Sequence, residues 1–184
     1  MNVPVMSIDP SLRATGVALG YAGNALGAVT VESIHLIETE KTSAKTVRKN
    51  SDDLRCARLI HDELARLRAL HKPVVTIVEV PSGTQSARAS WTLGVMLGLI
   101  AGLPLPVVEV SPVEVKKGWA GSKAASKDRM IELAVERYPG LGWLRHRGAL
   151  TAKNEHLADA VAVMHVGAFT EHFQELVRML EVAA

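Results

Sequence analysis

The chain opens on a β-branched, alternating run, Val3 to Ile8, which has the pattern of a buried strand; Asp9-Pro10 ends it, because proline cannot join a ladder. A second strand is predicted over Thr15 to Tyr21, a turn at Gly23-Asn24, and a third strand over Ala28 to Ile37. Three consecutive strands with tight turns make an antiparallel meander. Glu38 to Asn50 is polar and predicts a mobile loop. The period then changes. Leu54, Leu59, Ile60, Leu64, Leu67 and Leu70 recur at helical spacing, giving a helix that Ser51 or Asp52 can cap.

His71-Lys72-Pro73 ends that helix, and Val74 to Val80 is an apolar strand interrupted by one acid, Glu79. After the loop Pro81-Ser82-Gly83, a helix from Ser86 to Gly102 carries many small residues, among them Ala87, Ala89, Gly94, Gly98 and Ala101. Val107 to Val110 is a fifth strand. Ser111-Pro112 opens a helix in the favoured order, cap and then proline, and Gly118 to Ser122 breaks it. Ser126 can cap a helix to Tyr138, Pro139 to Leu150 reads as loop, Asn154 can cap a helix to Ala168, and a last helix covers Glu171 to Val182. This order predicts an α/β domain with a five-stranded mixed sheet and helices on both faces.

Composition narrows the class. At 184 residues, with 48% apolar and 22% charged positions, the chain suits one globular domain, residues 1–184, closed by a helix near 170–182. No apolar run reaches the ~18 residues of a membrane span. The opening residues lack a secretory pattern, and Cys56 is the single cysteine, so a cytoplasmic setting is expected and intramolecular disulfides are excluded. Net charge is +2, but Val115 to Lys153 holds nine Lys/Arg against three acids, and Lys41 to Arg58 six against two. Such zones suit a polyanion partner as well as solvated helix faces. With seven aromatics in the chain, phosphate contacts are favoured over base stacking.

The candidate chemistry lies in acids at strand ends. Burying a carboxylate in Val-Thr-Ile-Val-Glu-Val requires a partner or a metal. If the first and fourth strands are neighbours, Asp9 and Glu79 meet at one sheet edge. His156 and Asp159 are three apart and share a helical face, while Glu155 points elsewhere. Asp9, Glu79, His156 and Asp159 could thus converge on one cation site, and oxygen-rich ligands favour Mg2+ or Mn2+ over zinc. Singly, each has an ordinary alternative: a turn residue, a capping acid, a packed histidine.

Four segments, in order, resemble the RuvC-type Holliday junction resolvases of the RNase H-like nuclease superfamily. Ser7-Ile-Asp-Pro-Ser-Leu-Arg-Ala-Thr-Gly16 resembles the family's opening strand and turn. Ile77-Val78-Glu79, with Leu93-Gly94 in the next helix, resembles its second acid and spacing. Val115-Lys116 and Ser126-Lys127 resemble two of its lysines, and Leu157-Ala-Asp-Ala-Val-Ala162 its last acidic helix. The resemblance implies an RNase H-like fold and a homodimer that cuts four-way DNA. It implies two divalent ions, Mg2+ or Mn2+, at Asp9, Glu79, His156 and Asp159. Lys127 would act on the phosphate and Lys116 and Lys123 would bind DNA, while the loop after Glu79, which departs from the family, would meet DNA of a different shape through Gln85 and Arg88. It implies a prokaryotic or phage-encoded protein. Two features depart from the family: His156 stands where an acid is usual, as in some relatives, and the loop after Glu79 lacks an aromatic. A non-cleaving DNA-binding module and a nuclease for other branched DNA are the alternatives; an actin-like kinase would need a second lobe.

Overall fold

A computed structural model describes residues 2–23, 29–43, 46–84 and 86–183. Strands β1 (Asn2–Asp9), β2 (Ala14–Gly23) and β3 (Val29–Glu38) form the expected meander. Helix α1 (Lys49–His71), β4 (Val75–Glu79), α2 (Ala87–Ala101) and β5 (Val107–Val110) follow. Helices α3 (Pro112–Ala120) and α4 (Lys127–Arg137), a hairpin β6 (Arg145–His146) and β7 (Ala149–Leu150), and helices α5 (Asn154–Gly167) and α6 (Glu171–Ala183) complete the chain. Sheet order is β3-β2-β1-β4-β5, antiparallel through the meander and parallel where β4 joins β1 and β5 joins β4. The turn expected at Gly23-Asn24 and the start of the third strand at Ala28 lie partly outside the described residues.

Strand periodicity divides two apolar layers. Val3 and Val5 of β1 with Val75 and Ile77 of β4 face a layer supplied by α3, α4, α5 and α6. Met6, Ile8 and Val78 face the opposite layer, built from Cys56, Ile60, Leu64 and Leu67 of α1 and Met96 and Ile100 of α2. Side chains alternate across a strand, so Ser7 and Asp9 join the α5 side, as does Glu79. Helix α5 lies across all five strands and packs against α3 and α4. It is fixed to β1 where Ser7 Oγ donates to the Ala160 carbonyl at 2.7 Å.

Five expectations change. The loop 139–150 contains the β6–β7 hairpin, whose two-residue turn Arg147-Gly148 has positive φ at both positions (50° and 85°). That geometry suits a tight hairpin, and Arg-Gly is a weaker signal for it than Asn-Gly. Helix α1 begins at Lys49, ahead of Ser51, with no side-chain cap. Asp52 and Asp53 are instead buried inside it, holding Arg13, Arg55 and Arg88. The segment expected to be mobile is pinned at its start: Thr39 donates through N to the Arg13 carbonyl at 3.0 Å and through Oγ1 to that of Leu12 at 2.6 Å. Asn154 is no cap. It is fully buried, and its amide clamps the Leu144 N–H and carbonyl, both at 2.8 Å. Finally, α3 runs through Gly118 and ends at Gly121, in the left-handed region at φ 73°. The other caps are as expected: Ser111 and Glu114 form a reciprocal capping box, and Ser126 caps α4 by accepting from the Arg129 N–H at 3.2 Å.

Candidate active site

Asp9 and Glu79 are brought together by register. Ile8 pairs with Val78 in the parallel ladder, so the next residue of each strand is its neighbour's lateral partner, with backbones about 5 Å apart. Both carboxylates emerge at the carboxyl edge of the sheet on the α5 side. The first turn of α5 supplies the rest. It can approach β2 because Gly16, which pairs with Asp9, has no side chain: a Cβ there would lie 1.9 Å from the His156 carbonyl oxygen. The same approach carries the His156 ring to Asp9, with Nδ1 at 2.7 Å from Oδ2. The preceding turn is held by Thr15 Oγ1, which donates to the Ser11 carbonyl at 2.6 Å.

The electrostatics are those of crowded anions. Burial pushes the Glu79 carboxyl up to about 8, helped by the charges of Asp9 and Asp159 and opposed by Lys116. Burial likewise pushes Asp159 up to about 7; Asp9 and Glu155 add to the rise, and His156 and Lys116 oppose it. The Asp9 hydrogen bond raises the pKa of His156 against the effect of its burial. Three carboxylates within reach of one another's charge, in a partly dehydrated recess, are poorly accommodated alone and well accommodated around a hard cation. In this conformation, however, no three His, Cys, Asp or Glu side chains among the described residues form a closed ligand set for one ion. The Asp9 carboxylate is engaged by the His156 imidazole. The donor chemistry of this group of carboxylates and imidazole fits a hard divalent cation.

The remaining candidates separate. Lys116 is half-buried and faces the acids, since its charge is felt by both Glu79 and Asp159. Lys127 reaches the site through Glu155, whose Oε2 it meets at 2.6 Å. Lys123 is exposed in the segment between α3 and α4. Arg88 is engaged internally, donating in bidentate fashion to Asp53 at 2.5 and 2.6 Å. Asp53 also accepts from Trp91 Nε1 at 3.2 Å. Gln85 lies outside the described residues. The residue that helical spacing misdirects is Glu155. It turns back toward the site, with Oε1 3.5 Å from His156 Nε2. Its position beside a candidate ligand is the signal that could have found it.

No protein-family model matches the chain. It is 30% identical over 140 residues to the crossover junction endodeoxyribonuclease RuvC of Zymomonas mobilis, covering 74% of this chain and 78% of that protein. Among solved structures it resembles Thermus thermophilus RuvC in complex with a Holliday junction substrate, with a TM-score of 0.68 and 20% identity over 95% of this chain and 97% of that one. It also resembles the fowlpox virus resolvase in complex with Holliday junction DNA, with a TM-score of 0.51 and 15% identity over 95% and 99% of the two chains. The mixed five-stranded sheet with helices on both faces is therefore the RNase H-like fold that the sequence motifs implied. With that identity to a curated relative over three-quarters of its length, the chain belongs to the RuvC family of crossover junction endodeoxyribonucleases.

Proposed function

We propose that this protein is a structure-specific endodeoxyribonuclease that resolves four-way DNA junctions by paired phosphodiester hydrolysis. Its family membership supports the reaction class. The observation that carries the reading is the grouping of Asp9, Glu79 and Asp159, in which the charge of Asp9 raises the proton affinity of both other carboxyls and that of Asp159 raises the proton affinity of Glu79. Nucleases of this kind depend on divalent metal. Asp9, Glu79, Asp159 and His156 would hold two ions, Mg2+ or Mn2+. When bound, such ions supply Lewis acidity for the attacking water and charge stabilisation for the departing 3′ oxygen. The chain's own part is to fix those carboxylates on rigid strand and helix ends. Lys127 and Lys116 offset phosphate charge at the reacting centre and Lys123 meets flanking DNA, whereas Arg88, a DNA-binding candidate by sequence, is held by Asp53.

Paired cuts need two sites related by a twofold axis, so the working unit is a homodimer. Helix α2 is the proposed contact. It buries Met96 and Ile100 inward, while Trp91 stays 49% exposed and Gly94 and Gly98 have open space beside them. Residues 1–184 act as one domain, in the cytoplasm where the DNA lies; among the described residues no helix is long and apolar enough to cross a membrane.

The test is a titration of Mg2+ or Mn2+ against an end-labelled four-way junction. Wild type should give symmetric paired nicks. Asp9→Asn, Glu79→Gln and Asp159→Asn should each abolish cutting and leave junction binding largely intact. No incision by wild type, or equal incision by Asp9→Asn, overturns the hydrolytic reading. The rival it would favour is a non-cleaving DNA-binding module, to which the histidine at position 156 lends support. Three-way and flap DNA run alongside decide the preferred branch.

A further inference from the structure

The nuclease reading leaves Glu155 without a task, yet the structure puts it between two groups of the site. Its Oε2 meets the Lys127 ammonium at 2.6 Å, and its Oε1 lies 3.5 Å from His156 Nε2, whose ring bonds Asp9 at 2.7 Å through Nδ1. Lys127 is the first residue of α4, and its side chain is 72% exposed. A cation at a helix N-terminus is at the unfavourable end of the macrodipole, so α4 itself gives the ammonium no reason to stay there. Glu155 has the opposite situation: an anion in the first turn of α5 is favoured, and its side chain is mostly covered. The carboxylate is thus the fixed partner and the lysine the tethered one. An ion pair this open adds little to stability, so the fold does not require it.

We propose that Glu155 is a positioning residue for the proposed reaction: it parks the Lys127 ammonium over the carboxylate cluster, ready to be handed to the phosphate that arrives there. This rests on the nuclease reading of the site. Without the tether, a four-methylene side chain at the protein surface samples many rotamers, and reaching the phosphate becomes an entropic burden on the reacting complex. DNA binding moves the other way. Removing a negative charge beside the DNA path relieves repulsion, and the lysine no longer has to leave a carboxylate to meet a phosphate.

The experiment pairs Glu155→Gln and Lys127→Met in a double-mutant cycle. Single-turnover cleavage of a labelled four-way junction in Mg2+ is read beside junction affinity by fluorescence anisotropy in EDTA. Glu155→Gln should cut about tenfold more slowly. It should bind the junction as tightly as wild type, or up to about threefold more tightly. Its melting temperature should stay unchanged. In the Lys127→Met background the same substitution should slow cleavage no further. If wild type cuts and Glu155→Gln keeps pace with it, the proposal is overturned. It is equally overturned if the two substitutions act multiplicatively, or if binding and melting temperature fall together with cleavage. A wild type that binds the junction without cutting it overturns the nuclease reading, and the tether loses its purpose with it.

Discussion

Gly16 shows how much of the site depends on one missing side chain. It lies opposite Asp9 in the antiparallel ladder and leaves the space into which the His156 backbone descends. Gly16→Ala must push the start of α5 outward, because its Cβ would stand 1.9 Å from a backbone oxygen that has nowhere to rotate. The expected outcome is a stability loss of about 1–3 kcal/mol, by denaturant unfolding. Cleavage of a four-way junction should fall much further, about 100-fold, since an ångström of misplacement at the reacting centre weighs that heavily. His156 itself should tolerate an acid: His156→Asp is expected to retain junction cutting and His156→Ala to lose it, as fits a replaceable ligand. These residues were legible because strand ends and a three-residue helical interval fix where Asp9, Glu79, His156 and Asp159 point. Glu155 was not. Its backbone direction is what spacing gives, and its side chain bends back toward Lys127 and His156 under electrostatic attraction that spacing does not encode.

Among the helices, α1 and α6 show opposite degrees of legibility. In α1 the leucine stripe was half misleading: Leu54, Leu59 and Leu70 are exposed, and the buried face runs Asp52, Asp53, Cys56, Ile60, Leu64, Leu67. Two aspartates occupy core-facing positions because Arg13, Arg88 and Trp91 come from other segments to meet them, joined by Arg55 one turn further along α1. Such long-range satisfaction leaves no mark on local periodicity. The hairpin β6–β7 was hidden for a related reason, since its anchor is the buried amide of Asn154 gripping Leu144. Helix α6 behaves as its pattern suggests, with Phe173 and Val177 fully buried against the α5 layer. Phe173→Ala should therefore lower unfolding free energy by about 3–5 kcal/mol. Guanidinium melts will show whether it does; a loss under 1 kcal/mol would mean that α6 is only loosely docked.

For the whole molecule, pH dependence exposes opposing contributions. His165 is buried behind Tyr138, whose hydroxyl lies 2.7 Å from Nε2, with the Trp119 ring at 4.9 Å. Burial and the nearby Arg137 charge push its pKa down to about 3. The unfolded chain therefore takes up this proton first as pH falls below 6.5, and stability drains away from there toward pH 3, by about 1.4 kcal/mol per pH unit. Glu79 and Asp159 act with the reverse sign, because their raised values let the folded state hold protons that the unfolded state releases. His165→Asn removes the first contribution alone, so its stability relative to wild type should climb as acid is added below pH 6.5. Parallel denaturation series at pH 7.5, 6 and 5 will measure that difference. The antiparallel meander and a five-stranded mixed sheet with helices on both faces were readable from strand and helix periods, whereas the strand order β3-β2-β1-β4-β5 and the closure of the site were matters of distant contact. Asp9 and His156 touch across a separation of 147 residues, and Ser7 meets Ala160 across 153. On a translating ribosome, the first strand emerges long before the helix that completes it. Incomplete chains that stop short of α5 lack His156 and Asp159, half of the proposed ligand set, so cutting is expected to stay silent until that helix has been made.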